Sequence, residues 1–311
     1  MAVTQGADLI GVSTIFYGFG GIPLVEKVGK ILNAFEAAEV PALIQVGASR
    51  PERNYTDIVR ELTRLGQEVE VKFSIHQSIW LPSADFYINI ASSDERMRRS
   101  SIESLKKSIV FARDIGASQL SFHAGYATDM LTQAVEYGPL DVQNNVPYAD
   151  AYRNSISSMI ELLEYAEREV RLSIENSNYR PERRYMFSLP EDFDRLPENI
   201  GVILNSGHVY YSSKRLNSPE YAKKIMGCVK ERVMEMHVND NDGSEDQHKL
   251  VGYGRAPIEQ MIEQVSMNGK VPNLIIEAHQ RRHHYLDSDL VENIKTLVSL
   301  EETVRKSFSL N

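Results

Sequence analysis

The sequence predicts an α/β fold, a single (β/α)8 TIM-type barrel spanning residues 1–311. Three observations predict it. Short apolar, β-branched runs alternate with segments of helical spacing along the whole chain. Eight such units follow one another, and eight parallel strands with crossover helices close into a barrel at about 250 residues or more. Histidines and carboxylates gather at the ends of the predicted strands, which in a barrel share one rim. An open doubly wound sheet is the alternative use of the same units.

The strands read at 8–13 (DLIGVS), 41–47 (PALIQVG), 68–76 (EVEVKFSIH), 117–123 (ASQLSFH), 170–175 (VRLSIE), 200–205 (IGVILN), 232–238 (RVMEMHV) and 272–277 (PNLIIE). Their length and composition are those of buried parallel strands. Apolar residues recur at three- and four-residue steps in 23–38, 56–65, 98–114, 151–169, 218–230, 257–266 and 288–305, which therefore read as helices. Residues 206–217 read as padding between the sixth and seventh strands. The insertions 77–97 and 124–150 read as long loops at the C-terminal face, where barrel active sites are built. No Gly/Ser linker, low-complexity tract or charge block divides the chain.

Composition narrows the function classes. Apolar residues make up 42% and charged residues 25%, an ordinary globular balance that excludes disorder. Against 43 acidic residues there are 34 Lys and Arg, leaving a formal charge of −9. That excludes an all-over basic coat for nucleic acid but leaves room for a local patch. The one cysteine, Cys228, excludes an internal disulfide and a thiolate zinc site, and it suits a reducing compartment. No apolar run approaches the ~18 residues of a membrane span. The first residues lack the pattern of a secretory signal. A cytoplasmic enzyme with no membrane partner is the expectation; oligomeric state stays open.

The histidines carry the chemistry. All eight (His76, His123, His208, His237, His248, His279, His283 and His284) fall at a predicted strand end or in the loop after it. Glu175 closes the fifth strand and Glu277 the eighth, while Asp240, Asp242 and Asp246 follow the seventh. A carboxylate at the end of an apolar strand is costly unless paired or metal-bound. Asn205 and His208 stand three residues apart across a turn, and Asp246 and His248 form an Asp-x-His pair on one extended segment. Imidazole and carboxylate in such numbers, without thiolates, suit a divalent ion: zinc first, with manganese or magnesium as alternatives.

This ordered set resembles the xylose isomerase-like TIM barrels and, within them, the endonuclease IV pattern of family 2 apurinic/apyrimidinic endonucleases. The resemblance covers about residues 8–280. It implies up to three zinc ions held by nine ligands. The family's first two histidines match His76 and His123, and its bridging glutamate matches Glu175. Its Asp-x-x-His pair falls on Asn205 and His208, its strand-seven histidine on His237, its Asp-x-His pair on Asp246 and His248, and its final glutamate on Glu277. The VGASRPERNY stretch resembles an arginine-bearing loop that enters DNA, which makes Arg50 and Arg53 candidate substrate contacts. The YINIASSDE stretch resembles a Tyr-x-x-Asn segment and offers Tyr87 and Asn89 in the same role, after a longer insertion. The chain departs from the pattern at Asn205, where the family has an aspartate, and in a shorter loop between His237 and Asp246.

The resemblance implies two function classes and a third without chemistry. The first is hydrolysis of phosphodiesters at abasic sites in DNA by a clustered metal centre. The second is isomerisation or epimerisation of a small sugar or sugar phosphate. There Glu175 and Glu277 pass protons around one ion held by Glu175, Asn205, His237 and Glu277. The third is a metal-binding barrel that lost catalysis through Asn205. His76, His123, Asp246 and His248 favour the first class, since one ion does not need them. Asn205 and the acidic balance favour the second.

Overall fold

The computed structural model describes residues 10–18, 21–47, 54–77, 81, 86–130, 142–268 and 270–309. Arg50 and Arg53 lie outside them. Parallel strands cannot be joined by a tight turn, so the chain must cross over on the outside between neighbours. The elements run β1 Ile10–Ser13, α1 Leu24–Ala38, β2 Leu43–Val46, α2 Tyr55–Glu68, β3 Lys72–His76, α3 Glu95–Ile115 and β4 Gln119–His123. A small antiparallel pair follows, β5 Thr128–Met130 with β6 Val142–Asn145. Then come α4 Tyr148–Ala166, β7 Arg171–Glu175, β8 Gly201–Asn205, α5 Ser206–Arg215, α6 Pro219–Val229, β9 Val233–Val238, α7 Ile258–Val265, β10 Asn273–Ile276, α8 Gln280–His283 and α9 Asp287–Ser309.

Eight of these strands close a parallel barrel in the order β1, β2, β3, β4, β7, β8, β9, β10 and back to β1. They are the eight strands that the sequence predicts. Two connections, 206–215 and 124–150, differ from expectation; the link between β7 and β8, where the spacing predicts no helix, does not. A 3-10 turn, Pro190–Arg195, and no full helix lies between β7 and β8. Residues 206–215, expected as padding, form α5. Its serine-rich sequence hides the helical period, and the helix begins because the Asn205 side chain accepts from the His208 amide. The 124–150 insertion, expected as a loop, carries the β5–β6 pair.

The outer ring is held by amphipathic faces. Leu24, Val28, Ile31 and Phe35 of α1 lie at helical spacing and are buried, as are Leu290, Ile294 and Leu297 of α9. Each such side chain contributes roughly 1.5–3 kcal/mol on burial. The inside of the barrel is different. Side chains alternate along a strand, so residues two apart share a face. Gln45, Ser74 and Glu235 form a polar layer: the Gln45 amide donates to the Glu235 carboxylate at 3.1 Å, and the Ser74 hydroxyl does so at 3.5 Å. Burial pushes the Glu235 carboxyl up from its ordinary range. His76 and His237 stand two residues further along β3 and β9. The polar layer therefore forms the floor of whatever sits at the strand ends.

Asp240, one of the acidic residues after β9, anchors a loop and stays out of the site. Its buried carboxylate accepts four backbone amides, from Asn241 at 2.8 Å, Ala256 at 2.9 Å, Gly254 at 3.0 Å and Gly252 at 3.1 Å. Its backbone pairs with Lys249, which fixes the segment bearing Asp246 and His248. Removing it leaves four backbone donors unmet, that of Asn241 buried and the other three partly so, at about 1–3 kcal/mol for each that water cannot reach. Asp240→Ala is therefore expected to lower the urea-unfolding free energy by about 3 kcal/mol or more, with Asp240→Asn intermediate. An unchanged midpoint would show that the loop is held by other contacts.

Candidate metal centre

The strand register brings the histidines and carboxylates together. His123 stands beside Glu175 across β4 and β7, and Asn205 beside His237 across β8 and β9. Glu277 follows β10, whose Ile275 pairs with His237. His76, Glu175, His237 and Glu277 are all buried, and one donor atom from each lies within 4.8 Å of the others. His76 Nε2 lies 3.2 Å from Glu175 Oε2. His237 Nδ1 lies 3.4 Å from that oxygen and 3.3 Å from Glu277 Oε2. His123 stands at the mouth, its Nε2 3.8 Å from Glu175 Oε2.

A second cluster abuts the first. His208, Asp246 and His248 are buried and likewise converge within 4.8 Å. Their Nε2 atoms approach one oxygen of Asp246, at 3.2 Å for His208 and 3.4 Å for His248. The clusters touch where His208 Nδ1 comes within 3.3 Å of Glu175 Oε1 and His248 Nδ1 within 3.6 Å of Glu277 Oε2.

The outer nitrogens of these rings set their tautomers. His208 Nδ1–H donates to the Asn176 carbonyl at 2.8 Å, and His248 Nδ1–H to the Glu277 carbonyl at 3.0 Å. Ser121 Oγ gives its proton to the Ile75 carbonyl and so accepts from His76 Nδ1–H at 2.9 Å. In each ring the Nε2 lone pair is left facing carboxylate, the arrangement of a metal ligand braced from behind. His237 is held the other way round, with Nε2 2.9 Å from the Gln45 amide and Nδ1 toward the two glutamates. The same Gln45 NH2 group donates to Glu235, so Nε2 accepts and the ring proton sits on Nδ1, where an ion would have to replace it.

The electrostatics call for a cation. Burial alone would raise Glu175, yet His237, His123 and His76 hold it well below the ordinary carboxylate range. Asp246 is likewise held down by His248 and His208. Burial pushes His76 down to about 3. It also presses His208 down, but the Asp246 carboxylate outweighs it and lifts the ring to about 8. The two glutamates lift His237 well above its usual value, again against burial. Three carboxylates thus borrow protons from two imidazoles. Glu175 Oε2, His237 Nδ1 and Asp246 Oδ1 are buried and make no hydrogen bond. Orphaned buried donors and acceptors of this kind need a partner. Nitrogen and oxygen ligands without thiolate fit a divalent ion such as zinc.

Asn205 sits at the centre in an unexpected orientation. Its Nδ2 donates to Glu175 Oε1 and to Glu277 Oε2, both at 2.8 Å. Its Oδ1 accepts from the His208 backbone amide at 3.1 Å and from Asn239 Nδ2 at 3.0 Å. Carboxylates only accept and the backbone amide only donates, so these partners fix which end is which. The carbonyl expected to face an ion faces the start of α5. Gly207 is required beside it, because a Cβ there would collide with the Asn239 side chain.

The remaining candidates separate. Asn89 is wholly buried and clamps backbone: its amide donates to the Thr128 carbonyl at 3.0 Å and accepts from the Tyr126 amide at 2.9 Å. It orders the loop after β4 and does not face the centre. Tyr87 is buried edge-on against Tyr126, which lines a small cavity beside His208 and Asp246. His279 stacks on His248 at 4.7 Å. His283 bonds to the Gln247 carbonyl and His284 ends α8, both outside the centre. Sequence reasoning missed Gln45, Ser121, Asn176, Asn178 and Asn239. Asn178 donates to Asp246 at 2.8 Å, and the Asn176 side chain accepts from the Asn205 amide at 2.7 Å. A signal was available: Ser74, Ser121 and Glu235 each stand two residues before a ligand in otherwise apolar strands.

The chain has relatives. The model of the xylose isomerase-like TIM barrel family matches residues 25–300. An uncharacterized protein of Methanocaldococcus jannaschii is 22% identical over 249 residues, covering 78% of this chain and 76% of its own. A probable endonuclease 4 of Aquifex aeolicus is 24% identical over 257 residues, 76% of this chain and 82% of that one. The structure of an L-ribulose 3-epimerase superposes with a TM-score of 0.72 at 16% identity, over 98% of both chains, a likeness of fold. Among the described residues, no helix is long and apolar enough to cross a membrane. The family match spans nearly the whole barrel, and the chain belongs to the xylose isomerase-like TIM barrels, whose members are metal-dependent enzymes.

Proposed function

We propose that the chain is a divalent-metal phosphodiesterase of the endonuclease IV kind, acting on abasic DNA through clustered zinc. The His208–Asp246–His248 cluster carries this reading, because chemistry on one ion has no use for a second braced ligand set against the first. His76, His123 and Glu175 would hold one ion. Glu175, His237 and Glu277 would hold another with Asn205 beside them, and His208, Asp246 and His248 a third. Bound there, the ions supply Lewis acidity that activates water and polarises a phosphate. Asn176, Ser121 and the Glu277 carbonyl keep the ligand rings in place, and Asn178 orients Asp246. Arg50 and Arg53, which follow β2 in the sequence, would contact the strand.

A second reading is sugar isomerisation or epimerisation on Glu175 and Glu277. The observation that favours it is the Asn205 amide, which ties those two carboxylates together and adds no charge. Metal content decides between the readings. More than one ion per chain, nicking of an abasic duplex, and loss of both by about 100-fold or more in Asp246→Ala are expected for the phosphodiesterase. One ion per chain, retained in Asp246→Ala, with turnover of a ketose or aldose, would replace it with the sugar reading. Glu175→Ala is expected to abolish tight metal binding altogether.

Two further outcomes follow from the electrostatics. Metal uptake must displace protons from His237 and His208, so affinity should rise with pH through about 8, where His208 is half deprotonated, and further while His237 keeps its proton. Calorimetry at pH ~7 in buffers of different ionisation enthalpy should show net proton release; zero release would show that these rings are not ligands. Asn205→Asp puts a charge near the ions, worth roughly 4 kcal/mol at 4 Å and an effective dielectric of 20 before desolvation. It should tighten metal binding while lowering the melting temperature in chelator, where three carboxylates would face one another. Equal metal affinity in both forms would place Asn205 outside ion contact.

A further inference from the structure

A cavity of about 610 Å³ opens at the barrel mouth, and Arg180, Arg183, Arg281 and Arg282 line it against a single acid, Glu245. Glu245 is occupied by Arg282, at 3.1 Å, while the other Arg282 nitrogen donates to the Asp246 carbonyl at 3.0 Å. Residues 180–184 form one turn, in which the Arg183 and Arg184 amides donate to the Arg180 carbonyl at 2.9 Å. Residues three apart on such a turn share a side. The Arg180 guanidinium lies 5.1 Å from the Tyr211 ring centre, and its buried Nε makes no hydrogen bond. Arg281 lies along the backbone after β1, where Gly18 and Gly21 adopt φ of 82° and 87° and a Cβ on Gly21 would meet its guanidinium at 3.0 Å. Among the described residues, neither Arg180 nor Arg281 has a carboxylate partner.

Arg180 also lines the smaller cavity, of about 80 Å³, that holds His123, His208 and Asp246. Cation rim and metal centre are thus contiguous through one side chain. An arginine fork matches tetrahedral oxyanions bidentately. A protein of charge −9 that gathers four arginines around one cavity beside a metal centre concentrates positive potential where its substrate enters.

The geometry points to a phosphate subsite: the cavity between Arg180, Arg183, Arg281 and Arg282 binds a phosphate of the substrate other than any group at the metal centre. This deepens the proposed function and rests on it only for which substrate carries the phosphate. The phosphate is either the next one along a nucleic-acid strand or the terminal one of a sugar phosphate.

The test uses the metal-loaded full chain and the variants Arg180→Gln, Arg281→Gln and the double variant. The probes are a duplex with a stable abasic analogue, ribose 5-phosphate, and unphosphorylated ribose. Binding of at least one phosphate-bearing probe should weaken about 10-fold or more in the double variant, and for the duplex the salt slope should fall by about 2, one per arginine. Metal content and any weak binding of ribose should not change. Loss confined to the duplex identifies a nucleic-acid phosphate, and loss confined to ribose 5-phosphate a sugar phosphate. Arginine-dependent binding without nicking of an abasic duplex would keep the subsite and overturn the phosphodiesterase reading. Double-variant binding equal to wild type, or no binding of either phosphate probe to wild type, overturns the subsite itself.

Discussion

Three carboxylates converge at the mouth of a barrel that keeps water out, and the rest of the site answers to that fact. Glu175, Asp246 and Glu277 are each at most 5% exposed. Buried negative charge of this density is sustainable only with cations, with shared protons, or with donors aimed at every lone pair. The site uses shared protons and a few amide donors, leaves Glu175 Oε2 and Asp246 Oδ1 without a hydrogen bond, and is shaped for cations. His237 and His208 lend protons, Asn205 and Asn178 lend amide hydrogens, and the imidazoles present lone pairs braced from behind. The strand order matters because it delivers these groups from β3, β4, β7, β8, β9 and β10 to one rim without any long-range search by loops.

Much of this was legible in the sequence, and for a definite reason. Buried parallel strands announce themselves as apolar runs, and a histidine or glutamate closing such a run has little reason to be there unless it works. His76, Glu175, His237 and Glu277 were therefore identifiable together, by their shared strand-end placement and not one by one, and the structure brings them within 4.8 Å of one another. The helix Ser206–Arg215 was not identifiable, because its start depends on a capping side chain and its composition carries little periodicity. Nor was the direction of the Asn205 amide, which is fixed by partners on four different segments. Asn89 misled for the same reason: its residue type suits a ligand contact, but the turn at Gly125 claims its amide. Gly125 has φ of 99°, and a Cβ there would meet Asn89 Oδ1 at 2.5 Å.

The layer beneath the candidate metal ligands shows how a barrel interior can be polar without being weak. Glu235 is buried, pushed toward its neutral form, and hydrogen-bonded to Gln45 and Ser74. A neutral carboxyl costs far less to bury than a charged one. It leaves the negative charge of the site one layer higher, where ions can reach it. Gln45 spans the two layers, touching Glu235 below and His237 above.

Asn205 holds its four partners with one side chain, so the start of α5, the position of His208 and the spacing of the two glutamates move together. An aspartate would keep the helix cap but present oxygen to oxygen across the glutamates. With asparagine, one oxygen of each glutamate has an amide donor without any ion, while Glu175 Oε2 and Asp246 Oδ1 keep no hydrogen bond. An amide that bridges two buried glutamates lets the barrel close on its own contacts, so a divalent ion binding there would enter a finished fold, whereas a protein whose fold is its metal site must find the ion first.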